Sequence, residues 1–227
     1  AALGLKGGVL SVSAIDARTA QGRLTGQLGL DGRGALALWT ADLRWSGLRL
    51  EQWIRQERAA AAPPWVSGQQ NGRVTVQGRG RSTAEILATL TGTARSDLQG
   101  GVVSQLAIEA AGLDLAESLG LLVTGDRVLP VTCAVADLVA DGGVWRTRTQ
   151  VLDTPDSTLW VDGTVALDSE TMDLRVVVSP RDLSPLALRS PLRLRGSLAH
   201  PVVSVDKGPL GRKVGTSLLL GQLNPLA

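Results

Sequence analysis

The sequence predicts a mostly β protein, a long antiparallel sheet with two or three short helices. Three observations lead there. Apolar and polar residues alternate with period two along most of the chain, Gly and Asp break the alternation at short intervals, and helical spacing is confined to a few short stretches. With 227 residues the chain suffices for one large β domain or two small ones with a sizeable core, and 44% hydrophobic against 19% charged residues argues against disorder.

The strands follow one another closely. Leu10, Val12 and Ala14 alternate with Ser11 and Ser13, and Leu24, Gly26, Leu28 and Leu30 alternate with Arg23, Thr25, Gln27 and Gly29, with a turn at Asp31-Gly32. Further runs are Leu36/Leu38, Leu43/Trp45, Val74/Val76, Val102 to Ile108, Val131 to Leu138, Val144 to Leu152, Leu159 to Leu167, Met172 to Val178, Leu192 to Leu198 and Val202 to Val205. That makes roughly a dozen strands of ~5–8 residues. A weak internal echo suggests a repeated β unit: Gly7-Gly8-Val9 and Gly142-Gly143-Val144 each open a strand, and each is followed by a matching run, Gly26–Asp31 and Gly163–Asp168. Gly196-Ser197-Leu198 begins in the same way.

Helix signals are local. Ser82-Thr83-Ala84-Glu85 spells a capping box, followed by Ile86, Leu87 and Leu90 at helical spacing and closed by Gly92. A second candidate runs from Leu48 through Trp53 to the Ala59–Ala62 run and stops at Pro63-Pro64; a third covers Leu113 to Leu122; the tail Leu210–Leu223 is a short apolar candidate interrupted by Gly211, Gly215 and Gly221.

Composition and motif spacing exclude several kinds of function. The 23 Lys+Arg against 21 Asp+Glu leave a net charge of +2, so no field favouring nucleic acid builds up. Phe and Tyr are absent and only Lys6, Lys207 and Lys213 are lysine, the mark of a GC-rich genome, so Leu, Val, Ala and six Trp must form the interior. Cys133 alone forms no intramolecular disulfide and no thiolate cluster, and it sits in a β run where a small buried thiol is ordinary. His200, the single histidine, precedes Pro201 in strand-forming surroundings and lacks a Gly-x-Ser-x-Gly elbow, so it reads as structural. Carboxylates fall at turns such as Asp141-Gly142 and Asp162-Gly163 and form neither an acid–base pair nor a metal-ligand pattern. Gly78–Thr83 departs from a phosphate loop because Thr83 stands where the third Gly belongs, which leaves Arg79 and Arg81 in a solvated loop, the alternative being contact with phosphates near the helix start, lipid headgroups included. No catalytic residue, metal or cofactor is expected. No apolar run approaches the ~20 residues of a membrane span and no leader is visible, and the chain reads as an excerpt of a longer parent.

A dozen strands with one apolar face, and only a few short helices to cover it, leave more greasy sheet than the helices can hide. Either the sheet folds over into a sandwich, or it curls into a groove whose interior accepts lipid chains.

From Gly72 to Asp206 the residues resemble a known family. The run Gly72–Ser82 followed by Ala84–Gly92, the Leu113-Asp114-Leu115 helix, the strand start Leu138–Val144, the strand Gly163–Leu167 and the closing stretch Pro191–Val205 resemble, in this order, the C-terminal region of the AsmA family of Gram-negative envelope proteins. The first 70 residues resemble less tightly the degenerate strands that precede this region. The resemblance implies a curled, taco-like β-groove, periplasmic location, and anchoring to the inner membrane by a helix outside this chain. It also implies a non-enzymatic role in carrying phospholipids toward the outer membrane, with no catalytic residues to transfer. Three parts are expected: preceding groove strands with a short helix over 1–71, the AsmA-like β domain over 72–206, and an apolar, helical tail over 207–227. The expected groove lining is Leu24, Leu28, Leu30, Val161, Val165, Leu167, Leu174, Val176 and Val178, with Ile86, Leu87 and Leu90 as a plug at one end. Expected partners are phospholipid acyl chains, the inner membrane and an outer-membrane protein; nucleic acid is not among them. The alternative is a structural end cap or scaffold for outer-membrane biogenesis whose own apolar faces are fully packed.

Overall fold

The structure, a computed structural model, describes residues 1–54, 64–104, 128–155, 157–181 and 191–205. The Ala59–Ala62 run, the Leu113–Leu122 helix candidate and the 207–227 tail lie outside them. Among the described residues, fourteen strands and two short helices follow one another along the chain. The strands are β1 (Ala2–Lys6), β2 (Val9–Thr19), β3 (Gly22–Asp31), β4 (Ala37–Arg49), β5 (Gln69–Gly80), β6 (Thr91–Gln99), β7 (Val102–Ser104), β8 (Val128–Pro130), β9 (Cys133–Asp141), β10 (Val144–Asp153), β11 (Ser157–Ala166), β12 (Thr171–Pro180), β13 (Leu192–Ser197) and β14 (Pro201–Val205). Helix α1 (Leu50–Trp53) follows β4, and α2 (Thr83–Ala88) joins β5 to β6.

Twelve strands form one antiparallel sheet in chain order from β1 to β6 and from β9 to β14. Strands β7 and β8 pair with each other beside it, and Val66 bridges Val103. Every neighbour in the large sheet is a chain neighbour except β6 and β9, so contacts are local and each strand packs chiefly on the strands beside it. The sheet neither closes, since β1 and β14 remain its two edges, nor curls strongly. This corrects the expectation of a curled, taco-like groove: the twelve strands form one open sheet.

Most strands outrun the expected ~5–8 residues. Leu36/Leu38 and Leu43/Trp45 belong to one 13-residue strand, β4, or to its approach. The phase also differs at its start: Leu38 pairs with Asp31 on one face, while Trp39 pairs with Leu30 on the other. The expected boundary between residues 71 and 72 falls inside β5, which pairs with β4 and β6, so the sheet runs through it without a break.

Helix α2 starts where its sequence says. Ser82 Oγ accepts the Glu85 N–H at 3.2 Å, and Glu85 Oε2 accepts the N–H of Arg81, one residue before the expected reciprocal partner, at 2.7 Å. It does not run to Gly92. Thr89 caps it, clipping it to β5 by donating to Arg79 O at 2.6 Å and accepting from Arg79 N at 2.7 Å, and Gly92 lies inside β6. The helix rests on β5 because Gly78 and Gly80 have no side chains: a Cβ on either would strike the backbone of Ile86.

The internal echo has a structural counterpart. Gly7-Gly8 and Gly142-Gly143 are both two-residue hairpin loops with positive φ at each position, joining β1 to β2 and β9 to β10. In the strand after each pair, Gly26 and Gly163 adopt φ of 142° and 139°, and a Cβ at either would collide with the carbonyl of Asp42 or of Asp173 on the next strand. Opposite them the ladder is irregular in both places, between Val12 and Ile15 in β2 and between Arg146 and Val151 in β10.

Candidate functional site

The register divides the sheet into two faces of opposite chemistry. One unbroken cross-strand row runs from edge to edge: Leu3, Val12, Leu28, Ala41, Val76, Gly92, Ala140, Trp145, Val165, Met172, Gly196 and Pro201. No member is polar. A second row on this face runs Ile15, Gly26, Leu43, Val74, Ala94, Leu138 and, beyond the β10 irregularity, Gly163, Leu174 and Leu194. A third begins Ala17, Leu24, Trp45 and ends Val161, Val176, Leu192. No charged side chain occupies these rows.

The opposite face carries the charges. Arg23 donates to both oxygens of Asp16 at 2.7 Å, Arg73 grips Asp42 at 2.8 and 3.0 Å, Arg95 reaches Asp137 at 3.1 Å, and Arg195 reaches Asp173 at 3.0 Å. Hydrogen bonds from these arginines hold the Asp16, Asp42 and Asp173 carboxyls below the usual carboxylate range. Asp153 is lowered by the Thr158 hydroxyl and then by Arg181, and Asp31, which accepts from the Arg33 side chain and backbone, is lowered to about 2.

All nine expected lining residues fall on the apolar face, in two groups. Leu24, Leu28 and Leu30 lie on β3; Val161 and Val165 on β11, Leu167 just beyond it, and Leu174, Val176 and Val178 on β12. Six strand spacings of ~4.8 Å, about 29 Å, separate the two groups. A buried cluster of Ala41, Val76 and Leu90 lies between them, and both Leu28 and Leu167 pack against it, together with Trp39, Val74 and Trp145. Those three residues and Ala41 belong to the surface but are not among the expected lining; in the sequence Val74 and Trp145 read only as parts of strand runs. The phase of Leu43 and Trp45 extended two residues at a time toward the N-terminus is the signal that finds Ala41 and Trp39.

The expected end plug is divided. Leu90 is 4% exposed and central to the cluster, yet it follows the helix rather than lying in it. Ile86 is half-buried over Gly78, and Leu87 is 36% exposed, so it does not seal the end of the apolar face. The reason is length: a helix of six residues has turned Ile86 toward the sheet and Leu87 away from it before Thr89 ends it.

Cover on the apolar face is greatest at one end, where Leu48 and Leu98 are buried and Gly68 stands against Leu98. Helix α1 touches β4 and α2 touches β5, each at the margin, and the residues between are half-buried mainly by their own neighbours. His200 is exposed between β13 and β14, with its backbone N–H bonded to Ser197, and Cys133 is half-buried at the start of β9 opposite Gln99 and Asp153. The two are not brought together with any constellation of acids. No group of three His, Cys, Asp or Glu suited to a metal occurs among the described residues, and no helix there is long and apolar enough to cross a membrane.

With this geometry in view, the sequence profile of the AsmA family matches residues 1–149. The chain belongs to the AsmA family. The matched stretch begins with the first strands, so residues 1–71, which resembled the family less tightly, are part of it, while β11 to β14 lie beyond it. Among curated relatives in the AsmA family, AsmA family protein YhjG of Escherichia coli is 32% identical over 143 residues, 63% of this chain. The chain spans about a fifth of that relative's length, the aligned part being 21% of it. No solved structure matches the chain.

Proposed function

We propose that this AsmA-family chain is a non-enzymatic lipid-handling module, on whose apolar face phospholipid acyl chains lie while they are carried across the periplasm toward the outer membrane. One observation supports the reading above the others: an apolar row without a charge crosses twelve hydrogen-bonded strands, and of its members only Ala41, Val76 and Ala140 are buried. Eleven strand spacings of ~4.8 Å give a face about 53 Å wide, and the nine residue steps from Trp39 to Leu48 along β4 give about 30 Å in the other direction. An extended acyl tail of ~20 Å fits along a strand, and each methylene it removes from water contributes about 0.8 kcal/mol. In this reading the inner-membrane anchor lies outside this chain, the receiving partner is an outer-membrane protein, and the polar face stays in water.

Transfer along such a surface needs no nucleophile and no proton donor, which leaves His200 and Cys133 without a chemical part. The test is native mass spectrometry of the chain purified from a Gram-negative host. Co-purifying phospholipid in the folded protein is the expected result. A folded protein free of lipid that also fails to extract phospholipid from vesicles would instead favour the scaffold.

A further inference from the structure

On the charged face of the sheet one row breaks the chemistry. Val135, Val151, Trp160 and Val177 stand directly opposite one another across β9, β10, β11 and β12. Trp160 is 48% exposed and Val135 43%. Trp and Arg are enriched among the anchors of binding surfaces, and here an exposed Trp has arginines beside it.

The two borders of this strip differ. Two residues along each strand on one side lie Cys133, Asp153, Thr158 and Ser179, where Arg181 and Thr158 already satisfy Asp153 at 2.8 and 2.7 Å. On the other side lie Asp137, Thr149, Asp162 and Arg175, with Arg148 in the bulge beside Thr149. Arg95 occupies Asp137, whereas Arg148 and Arg175 are exposed and make no hydrogen bond or ion pair among the described residues. Asp162 is opposite Arg175 in register and likewise unbonded, so this border keeps a net positive charge. The strip is thus one side chain wide, three strand spacings or about 14 Å long, apolar along its axis, neutral on one flank and cationic on the other.

We infer that this strip docks an amphipathic helix of a partner protein, one that lays an apolar ridge along Val135, Val151, Trp160 and Val177 and sets carboxylates against Arg148 and Arg175. The dimensions agree: a ridge of about 14 Å is that of roughly ten helical residues, or three turns. A second copy of this chain fits less well, because four side chains bury far less than the ~800 Å² per partner of a stable dimer. The site lies on the face opposite the apolar rows and does not depend on what they carry.

The test uses the 227-residue chain and two labelled synthetic helices with the same leucine ridge, one bearing Glu and the other Lys on a single flank. Fluorescence polarisation should show the Glu helix binding at least about ten-fold more tightly than the Lys helix. Trp160→Ser should abolish that binding, and Arg148→Glu with Arg175→Glu, which leaves every apolar contact in place, should reverse the preference. His200→Gln, at an exposed position away from the strip, should leave it unchanged. Equal affinity for the two helices, or binding that survives Trp160→Ser, overturns the inference. So does a dimer of the chain that Trp160→Ser dissolves, or Trp160-dependent binding to phosphatidylglycerol vesicles, since either names a different occupant.

Discussion

The half of the sheet from β1 to β6 and the half from β9 to β14 share one face and differ on the other. Their apolar rows are continuous across the β6–β9 junction, where Gly92 pairs with Ala140 and Ala94 with Leu138. Their outer faces diverge. Across β4 to β6 that face carries Arg44, Arg73 and Arg95 in one row and Asp42, Thr75 and Thr93 in the next, while across β9 to β12 it holds the Val135–Trp160 strip between polar borders. Only the shared face is under one constraint along the whole length. The outer face is free to serve each half separately.

The sharpest way to break the comparison between faces uses adjacent residues of β12. Val176 is 6% exposed on the apolar face, and its neighbour Val177 points the other way. Val176→Asp should cost on the order of several kcal/mol and abolish phospholipid co-purification, because a carboxylate there is desolvated without a partner. Val177→Asp should leave the lipid content as it was. Native mass spectrometry with a thermal melt reads both, and equal lipid retention in the two folded variants would sink the lipid face.

Next in size is the α2 margin. Leu90→Ala empties a site packed by Ala41 and Val76 and should lower stability by about 2–5 kcal/mol, while Leu87→Ala should lower it by less than about 1 kcal/mol. Urea unfolding orders the pair, and a Leu87 effect equal to that of Leu90 would restore the three-residue plug.

Acid should act on the outer face alone. The carboxyls of Asp16, Asp31, Asp42, Asp153 and Asp173 are lowered in the fold, so the stability they lend is present above the ordinary carboxylate value near ~4 and is lost as pH falls through their folded values, to about 2 for Asp31. All are solvated pairs, so the fall in melting temperature should be small and smaller still in high salt. Bound lipid should persist through that window, and its release in step with the melting shift would tie the two faces together. The smallest expected effect is none: His200→Gln and Cys133→Ala, singly and together, should leave lipid content and transfer between vesicles unchanged. Loss of transfer in a stable His200→Gln variant would revive a chemical role.

Period-two alternation made the sheet and its greasy face legible, since Leu24, Leu28, Leu30, Val161, Val165 and Leu167 keep strict phase. It failed where side chains are small or where both faces are apolar. Ala37 and Ala41 carry no periodic signal, so the phase of β4 was read from Leu36 and Leu38, one residue out of step with Trp39. Runs such as Leu159-Trp160-Val161 and Val176-Val177-Val178 are apolar at every position, and only the register separates the residues of the apolar face from the outward strip. The overall bend was beyond the sequence, because alternation fixes which way side chains point and says little of how far successive strands rotate. The α2 plug failed for a local reason: Thr89 ends the helix before Leu87 and Leu90 can share a face.

The two Gly-Gly hairpins, each followed by an irregular strand and then a strand with a positive-φ glycine, Gly26 or Gly163, amount to a three-strand module used at least twice. Each module advances the sheet by about 14 Å and contacts little beyond its neighbours, so its contribution to stability is close to additive. Duplication or loss of one module would lengthen or shorten the apolar path by a fixed step without disturbing any other residue's surroundings. Reach is therefore a quantity that evolution can count out in whole steps, separately from what the surface binds.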